Sequence, residues 1–265
     1  MGHKSHYFKN GDDTLKNRVG EKNKNSYGSE MEIIEYRSAV DIDVFFPKDN
    51  CIVKNKRYSC FLKGTIKNPF DKTVYGVGYI GQGKYEPIKN NVMAKSYKIW
   101  RDMLKRCYGK NEDIKNPSYK EVYVCNEWHN YQSFAEWFEK NYYEINGKKM
   151  CLDKDILVKG NKEYSPNTSI FVPQEINVLF ISSNSSRGDF PIGVSYNKKE
   201  KKFYSRCCNR GVTVTIGTYG TSYDAFITYK KYKENLISEI AEEYKDSIPL
   251  KLYNAMKKYK VEITD

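Results

Sequence analysis

The residues best suited to proton transfer lie in one stretch, CLDKDILVKGNKEYSPNTSIFVPQEIN, which runs from Cys151 to Asn177. It passes from an acidic turn through a glycine-containing loop and an apolar strand to the start of a helix. The side chain that most often serves as a general base is histidine, but the residue after the first acid is Lys154. Lysine is protonated at neutral pH, and the flanking Asp153 and Asp155 favour that charged form. The stretch therefore offers acids without a proton acceptor.

One histidine and three cysteines are the other candidates for chemistry in the middle of the chain. His129 is the only histidine outside the first six residues, so it alone could replace the missing base. Cys107, Cys125 and Cys151 are far apart in sequence and lack a certain fourth zinc ligand, although His129 could complete a tetrahedral set. We expect a packing or capping role for His129, buried free thiols for the cysteines, and no zinc.

A formal GxGxxG pattern occurs at Gly76, Gly78 and Gly81. A dinucleotide site would need a helix beginning at the third glycine. The next residues are Gln-Gly-Lys, and Pro87 follows shortly after, so a helix begins poorly there. The pattern predicts a glycine-rich hairpin.

Composition narrows the class of protein. The 265 residues carry a net charge of +12, which favours an acidic partner such as nucleic acid. The 24 tyrosines favour folded modules and suit interfaces. Seven cysteines without a CxxC indicate reduced thiols and hence a cytoplasmic protein. We expect no membrane association, because the chain has no long apolar run and no apolar signal-peptide core.

The first part of the chain predicts an arm and a β-rich module. Residues 1–26 are polar and charged, which is typical of a flexible terminus. The segment 27–95 contains EMEIIEY and DIDVFF, whose β-branched and aromatic residues predict strands.

The rest of the chain predicts further modules of mixed structure. In 96–183, helical spacing joins Tyr97, Trp100, Met103, Leu104 and Cys107, with Ser96 as the expected N-cap. After the linker SSNSSRGD, the segment 190–237 shows three short strands and a helix that Ser222 is expected to cap. An amphipathic helical tail covers 238–265. The expected fold class is α+β, with several modules.

The three strands and helix of 190–237 carry a recognisable set of residues. These are Gly193-Val194, Phe203, the run Ile216–Tyr219 and the helix segment Thr221–Tyr229. In this order they resemble the AP2/ERF-type DNA-binding domain, whose sheet enters the major groove while its helix braces the back of the sheet. Carried over by position, the resemblance implies DNA-facing side chains at Arg206 and Thr215, and phosphate contacts from Lys199, Lys201 and Arg210.

The same segment departs from that family at its base-reading positions. Ser195 and Asn197 stand where arginines are expected, and Thr215 replaces an exposed tryptophan. The six Lys and Arg against one Glu over 191–219 remain. We therefore expect salt-sensitive contact with phosphates rather than base-specific recognition.

The segment 96–183 carries a second set of motifs. WRDMLKRCY begins at Trp100 and VCNEW begins at Val124, and Leu152–Asp155, Tyr164–Asn167 and Phe171–Asn177 follow in order. They resemble the HNH-type modules of phage proteins, with a ββα or treble-clef core. That resemblance implies Asp153, Asp155 and Asn177 as ligands of Mg²⁺ or Mn²⁺, and a histidine base at the position of Lys154. Ser169 stands where a further cysteine often occurs.

Taken whole, the chain is similar to phage and prophage proteins that join an HNH-like segment to an AP2-like tail. Three functions stay open. The first is an accessory DNA-binding protein on a degenerate nuclease scaffold, which the missing base favours. The others are a counter-defence protein that binds a bacterial immune complex, and an active divalent-metal endonuclease. Each would work in the cytoplasm of a bacterial host, as a monomer or an oligomer.

Overall fold

The computed structural model describes residues 18–181 and 189–265, so residues 182–188 of the predicted linker and residues 1–17 of the predicted arm lie outside it. Helices and small sheets are mixed along the chain, which confirms the α+β prediction. The chain divides into two compact units. One holds the described residues up to Pro87 with Asn130–Gln132, and the other holds Ile88–His129 with Ser133–Asp265. No helix in the described ranges is long and apolar enough to cross a membrane.

The first unit is built on a four-stranded antiparallel sheet in the order β1-β2-β3-β4. Met31 and Ile33 on one strand and Ile42 and Val44 on the next face a common core, as the apolar pattern predicts. The strands expected in EMEIIEY and DIDVFF are therefore confirmed. The elements of this unit are β1 (Lys22–Lys24), β2 (Glu30–Ser38), β3 (Asp41–Phe46), β4 (Cys51–Lys56) and α1 (Tyr58–Leu62).

Two further sequence predictions fall in this unit. Strand β1 lies within the segment 1–26, for which the sequence predicts a flexible arm. Its three residues are ordered by backbone pairing with β2. The glycine pattern forms a turn in which Val74 and Gly78 bridge each other, with N···O distances of 3.0 and 2.8 Å. Gly76 sits between them at φ +75°, a region that glycine enters most easily. The hairpin prediction is confirmed.

The second unit begins with the hairpin β5 (Ile88–Lys89) and β6 (Val92–Met93), followed by helix α2 (Lys95–Tyr108). The predicted inner face of α2 is buried at Trp100, Met103 and Leu104. The predicted cap was wrong: the helix begins after Ala94, whose backbone is extended, so Ser96 already lies inside the first turn.

The middle of this unit is made of short elements. Strand β8 pairs antiparallel with β10, and α5 follows β10 directly, which gives a strand–strand–helix order. β9 pairs parallel with β7. Three aromatic rings pack on Phe171 of β10, with ring centroids 5.0 to 5.5 Å apart. They belong to Trp137 and Phe138 of α4 and to Tyr142, which follows the helix. The elements are α3 (Glu112–Lys115), β7 (Tyr123–Val124), α4 (Tyr131–Asn141), β8 (Met150–Asp153), β9 (Glu163–Tyr164), β10 (Ile170–Pro173) and α5 (Gln174–Asn177).

The last part of the unit is a three-stranded antiparallel sheet in the order β11-β12-β13, with α6 packed on one face. Thr221, not Ser222, caps α6, because the Thr221 hydroxyl accepts a hydrogen bond of 3.1 Å from the Asp224 N–H. The elements are β11 (Val194–Asn197), β12 (Lys202–Asn209), β13 (Val212–Tyr219), α6 (Ser222–Tyr244) and α7 (Leu250–Lys258).

One hydrophobic core joins segments that the sequence suggested as separate modules. Ile176 and Leu179, from the α5 region, pack in the same cluster as Val194 and Ile237 of the three-stranded sheet and its helix, and Leu252 of α7 belongs to it as well. A two-stranded sheet with a one-turn helix cannot bury its apolar face alone. The segments 96–183, 190–237 and 238–265 therefore contribute to one compact unit.

Candidate functional site

The acidic turn after β8 is closed by the carboxylate of Asp153. Its Oδ1 accepts hydrogen bonds of 2.8 Å from the backbone N–H groups of both Asp155 and Ile156. Burial raises the pKa of Asp153 to about 6, and the charge of Asp155 adds to that rise, while the two backbone bonds and Lys154 oppose it. This carboxyl group therefore stabilises the turn while the folded state disfavours its ionised form.

Lys154 is held inside the same turn rather than directed at solvent. Its side chain is buried, and Nζ donates to Asp155 Oδ2 at 2.9 Å and to the carbonyl of Asn161 at 3.1 Å. The Nδ2 group of Asn161 in turn donates hydrogen bonds to the carbonyls of Lys154 (2.7 Å) and Glu163 (2.6 Å). The residue at the expected base position thus acts as an ammonium donor that closes the loop.

Asn177 and the two aspartates occupy different ends of the hairpin. Asp153 lies opposite Ile170, whereas Met150 lies opposite Pro173, the residue from which α5 leaves the ladder. Three residues of strand separate these ends by about 10 Å. No hydrogen bond within the described residues joins Asn177 to either aspartate.

The candidate base lies in another environment. The His129 ring packs edge-on against Tyr108, with Nε2 3.4 Å from the phenol oxygen. Among residues 18–181 and 189–265, no three His, Cys, Asp or Glu side chains are arranged to hold a metal ion. One oxygen of each aspartate is engaged, Asp153 Oδ1 by two backbone N–H groups and Asp155 Oδ2 by Lys154.

The cysteines considered for zinc are free thiols, as are the other four. Burial raises the pKa of Cys107 to about 11, and burial also raises the pKa of Cys125 and Cys151. Burial therefore favours the protonated thiol at all three positions.

The raised pKa of Asp153 leads to a first prediction about stability. A carboxyl whose folded pKa lies near 6 and whose unfolded pKa lies near 4 loses stabilising free energy as pH rises between those values. Asp153→Asn keeps an oxygen for the two backbone donors and removes the charge. We expect the variant to match wild type near pH 4 and to exceed its free energy of unfolding by about 1–2 kcal/mol at pH 7.

Urea unfolding at several pH values measures this difference. Asp102→Asn, on the exposed side of α2, controls for the loss of one negative charge. A pH-independent difference between Asp153→Asn and wild type would contradict the assigned cause.

The second candidate surface is the face of the β11-β12-β13 sheet opposite α6. Along β12, Ser205 and Cys207 are buried, and the alternate residues Arg206 and Cys208 are exposed. Arg206 lies opposite Thr215 of β13, which is also exposed, so both predicted DNA-facing residues share this face.

This face is polar and its strands carry no acid. Arg206 lies over the Tyr204 ring, 5.0 Å from its centroid, and Tyr204 lies opposite Ser195 and Thr218. The strands β11, β12 and β13 contain no Asp or Glu. Lys202 at the start of β12 and Tyr204 belong to the surface, although the motif comparison did not select them. Counting alternate positions from Arg206 would have found both.

The turns place the remaining predicted cations at opposite ends of the sheet. Lys199 and Lys201 are exposed in the β11–β12 turn, where Asn197 Oδ1 accepts a 3.0 Å hydrogen bond from the Lys199 N–H. Arg210 lies in the β12–β13 turn and pairs with Glu243 of α6. Both members of that pair are exposed, so it holds Arg210 only weakly.

Arg106, inside the RCY motif of α2, is a residue whose setting the sequence did not indicate. Its guanidinium lies 5.7 and 5.4 Å from the ring centroids of Tyr119 and Tyr164 and donates to the Tyr119 hydroxyl at 3.3 Å. Tyr164 is buried. Cation–π packing of this kind favours a structural role for the arginine.

Comparison with protein-family models, with curated proteins and with solved structures finds no match for this chain. Function is therefore inferred from the residues and their arrangement.

Proposed function

We propose that the chain is a phage or prophage accessory protein that binds DNA through the exposed face of its β11-β12-β13 sheet, called here the sheet face. The observation that carries the proposal is a row of cations on this face, with Lys202 and Arg206 on β12 and Lys199 and Lys201 in the adjoining turn. The strands carry no acid, and the one acid of that turn, Glu200, accepts a hydrogen bond from the Tyr204 hydroxyl. A sheet braced from behind by a helix can present such a row to the major groove, as β-sheet DNA readers do.

The side chains on the sheet face favour contact with the DNA backbone. Arg206 and the lysines supply charge, while Ser195, Thr215 and Thr218 supply hydroxyl groups for phosphate oxygens. Guanine is distinguished by bidentate hydrogen bonds, most often from arginine. The three strands carry one arginine, Arg206. The protein should therefore bind duplexes of different sequence with similar affinity.

The acidic turn supports binding without cleavage. Lys154, at the expected base position, donates to Asp155 and to the Asn161 carbonyl, so its ammonium serves as a hydrogen-bond donor and not as a proton acceptor. On this proposal the nuclease-like segment serves as a scaffold. Its elements β10 and α5 contribute core residues to the unit that carries the sheet face.

Fluorescence anisotropy with a labelled mixed-sequence duplex tests the proposal. Four phosphate contacts predict that log K falls with log salt at a slope of about −3 to −4 between about 50 and 200 mM salt. Absence of binding at about 50 mM salt would refute the proposal. Incubation of supercoiled plasmid with Mg²⁺ or Mn²⁺ covers the alternative, since nicking that Asp153→Ala abolishes would support the endonuclease.

A further inference from the structure

Lys233 occupies a position on α6 where an apolar residue would be expected. It lies four residues after Tyr229 and three before Leu236, within the stripe that faces the core. The residue is 8% exposed, and no hydrogen bond or ion pair engages its side chain in the described part of the chain. Lysines are seldom buried to this extent without an acidic partner, so this residue calls for an explanation.

The ammonium borders a cavity of about 680 Å³. The cavity lies beside residues 206–208 of β12, where β11 has already ended, because the β11 ladder stops at the pair Val194 and Ser205. Among the described residues that line it, two are charged, Lys233 and Arg206, and both are cations. Ser195 and Thr213 add hydroxyl groups on the wall, and Ile181 and Ile192 add an apolar side.

Two other cavities reach Lys233, of about 600 and 260 Å³, and both contain carboxylates. Each of these acids is paired with another cation. The pairs are Lys148 with Glu175, Arg210 with Glu243, Lys154 with Asp155 and Lys159 with Asp265. The surrounding acids are thus paired with other cations, and none of them is paired with Lys233.

We propose that Lys233, together with Arg206, forms a binding site for a phosphate group in the cavity beside residues 206–208 of β12. Phosphate oxygens would receive charge-assisted hydrogen bonds from the ammonium and the guanidinium, and further bonds from Ser195 and Thr213. The apolar wall would accommodate the remainder of a phosphorylated molecule. An anion would also offset burial, which lowers the pKa of Lys233.

The phosphate has two possible sources, because Arg206 belongs both to this cavity and to the sheet face. A free phosphate or nucleotide would enter the cavity by itself. Alternatively, a backbone phosphate of bound DNA would reach Lys233 at the edge of the sheet. The first source does not depend on the proposed DNA binding, whereas the second does.

Lys233→Met tests the site, with Lys231→Met as the matched control on the same helix. Lys231 is exposed, so the control makes the same chemical change without touching the cavity. Thermal unfolding of the full chain is measured in sodium phosphate and in sodium chloride of equal ionic strength. For wild type and Lys231→Met we expect phosphate at about ten times Kd to raise Tm by about 4 °C, and for Lys233→Met we expect no rise.

Arg206→Met provides a second variant, at an exposed position where folding is not at risk, and should reduce the same rise. The DNA arm compares salt slopes: a backbone phosphate on Lys233 predicts a slope smaller by about 1 in Lys233→Met than in Lys231→Met. If phosphate raises Tm but the salt slope is the same in Lys233→Met and Lys231→Met, the site binds a free anion. That assignment holds even if the wild-type protein binds no DNA. The inference is overturned if Lys233→Met retains the phosphate effect, or if neither arm distinguishes it from Lys231→Met.

Discussion

Arg206→Glu is expected to weaken binding to duplex DNA about 30-fold at about 100 mM salt. Arg206 is exposed at the centre of the sheet face, opposite Thr215, and lies over the ring of Tyr204. Reversing its charge removes one phosphate contact and sets a carboxylate against the phosphates. The slope of log K against log salt should fall by more than that of a single lost contact.

Lys231→Glu gives the control for this prediction, because it changes the net charge by the same amount. Lys231 is exposed on α6, the helix that packs on the other face of the sheet. We expect its affinity to stay within about threefold of wild type, since only long-range electrostatics change. Equal loss in the two variants would mean that net charge, and not the sheet face, determines binding.

Arg206→Lys separates charge from shape on the same face. A site that uses only phosphate contact accepts an ammonium nearly as well as a guanidinium, whereas a bidentate contact to a base does not. We therefore expect little change in affinity from Arg206→Lys, measured by anisotropy with the same duplex. A large loss would indicate base recognition through Arg206.

The elements could be predicted from the sequence where local patterns determine them. The apolar residues of β2, β3 and α6 mark their buried faces, because burial of one face sets the period of the pattern. The helix caps were misplaced, by two residues for α2 and by one residue for α6. Ser96 and Ser222 are good caps by type, but the backbone leaves the extended conformation at Ala94 and Thr221.

The candidate sites required three-dimensional information. The sequence shows acids beside Lys154, but it does not show that the carbonyl of Asn161, seven residues away, accepts a hydrogen bond from its ammonium. Lys233 carries a sequence signal, since a lysine interrupts an apolar stripe. Only the fold shows that Lys233 lines a cavity together with Arg206, and that no acid is among the described residues of its lining.

Ile176→Ala is expected to lower the free energy of unfolding of the second unit by about 2–5 kcal/mol. Ile176 lies in the one-turn helix α5 and is fully buried, in the cluster that also holds Val194 of β11 and Ile237 of α6. Removing its side chain leaves a cavity that the short helix cannot collapse to fill. Because this core is shared, the loss should reach the sheet face.

Hydrogen exchange distinguishes a shared core from separate modules. With one cooperative unit, Ile176→Ala accelerates exchange of the protected amides in β12 as much as in β8 and β10. With independent modules, exchange in β12 would stay at the wild-type rate while β8 and β10 exchanged faster. Ile227→Ala makes the same substitution at an exposed position of α6 and should change stability by less than about 0.5 kcal/mol. Under cooperative unfolding, the segment of β8, β10 and α5 stabilises the sheet of β11, β12 and β13, which gives it a role that does not depend on catalysis.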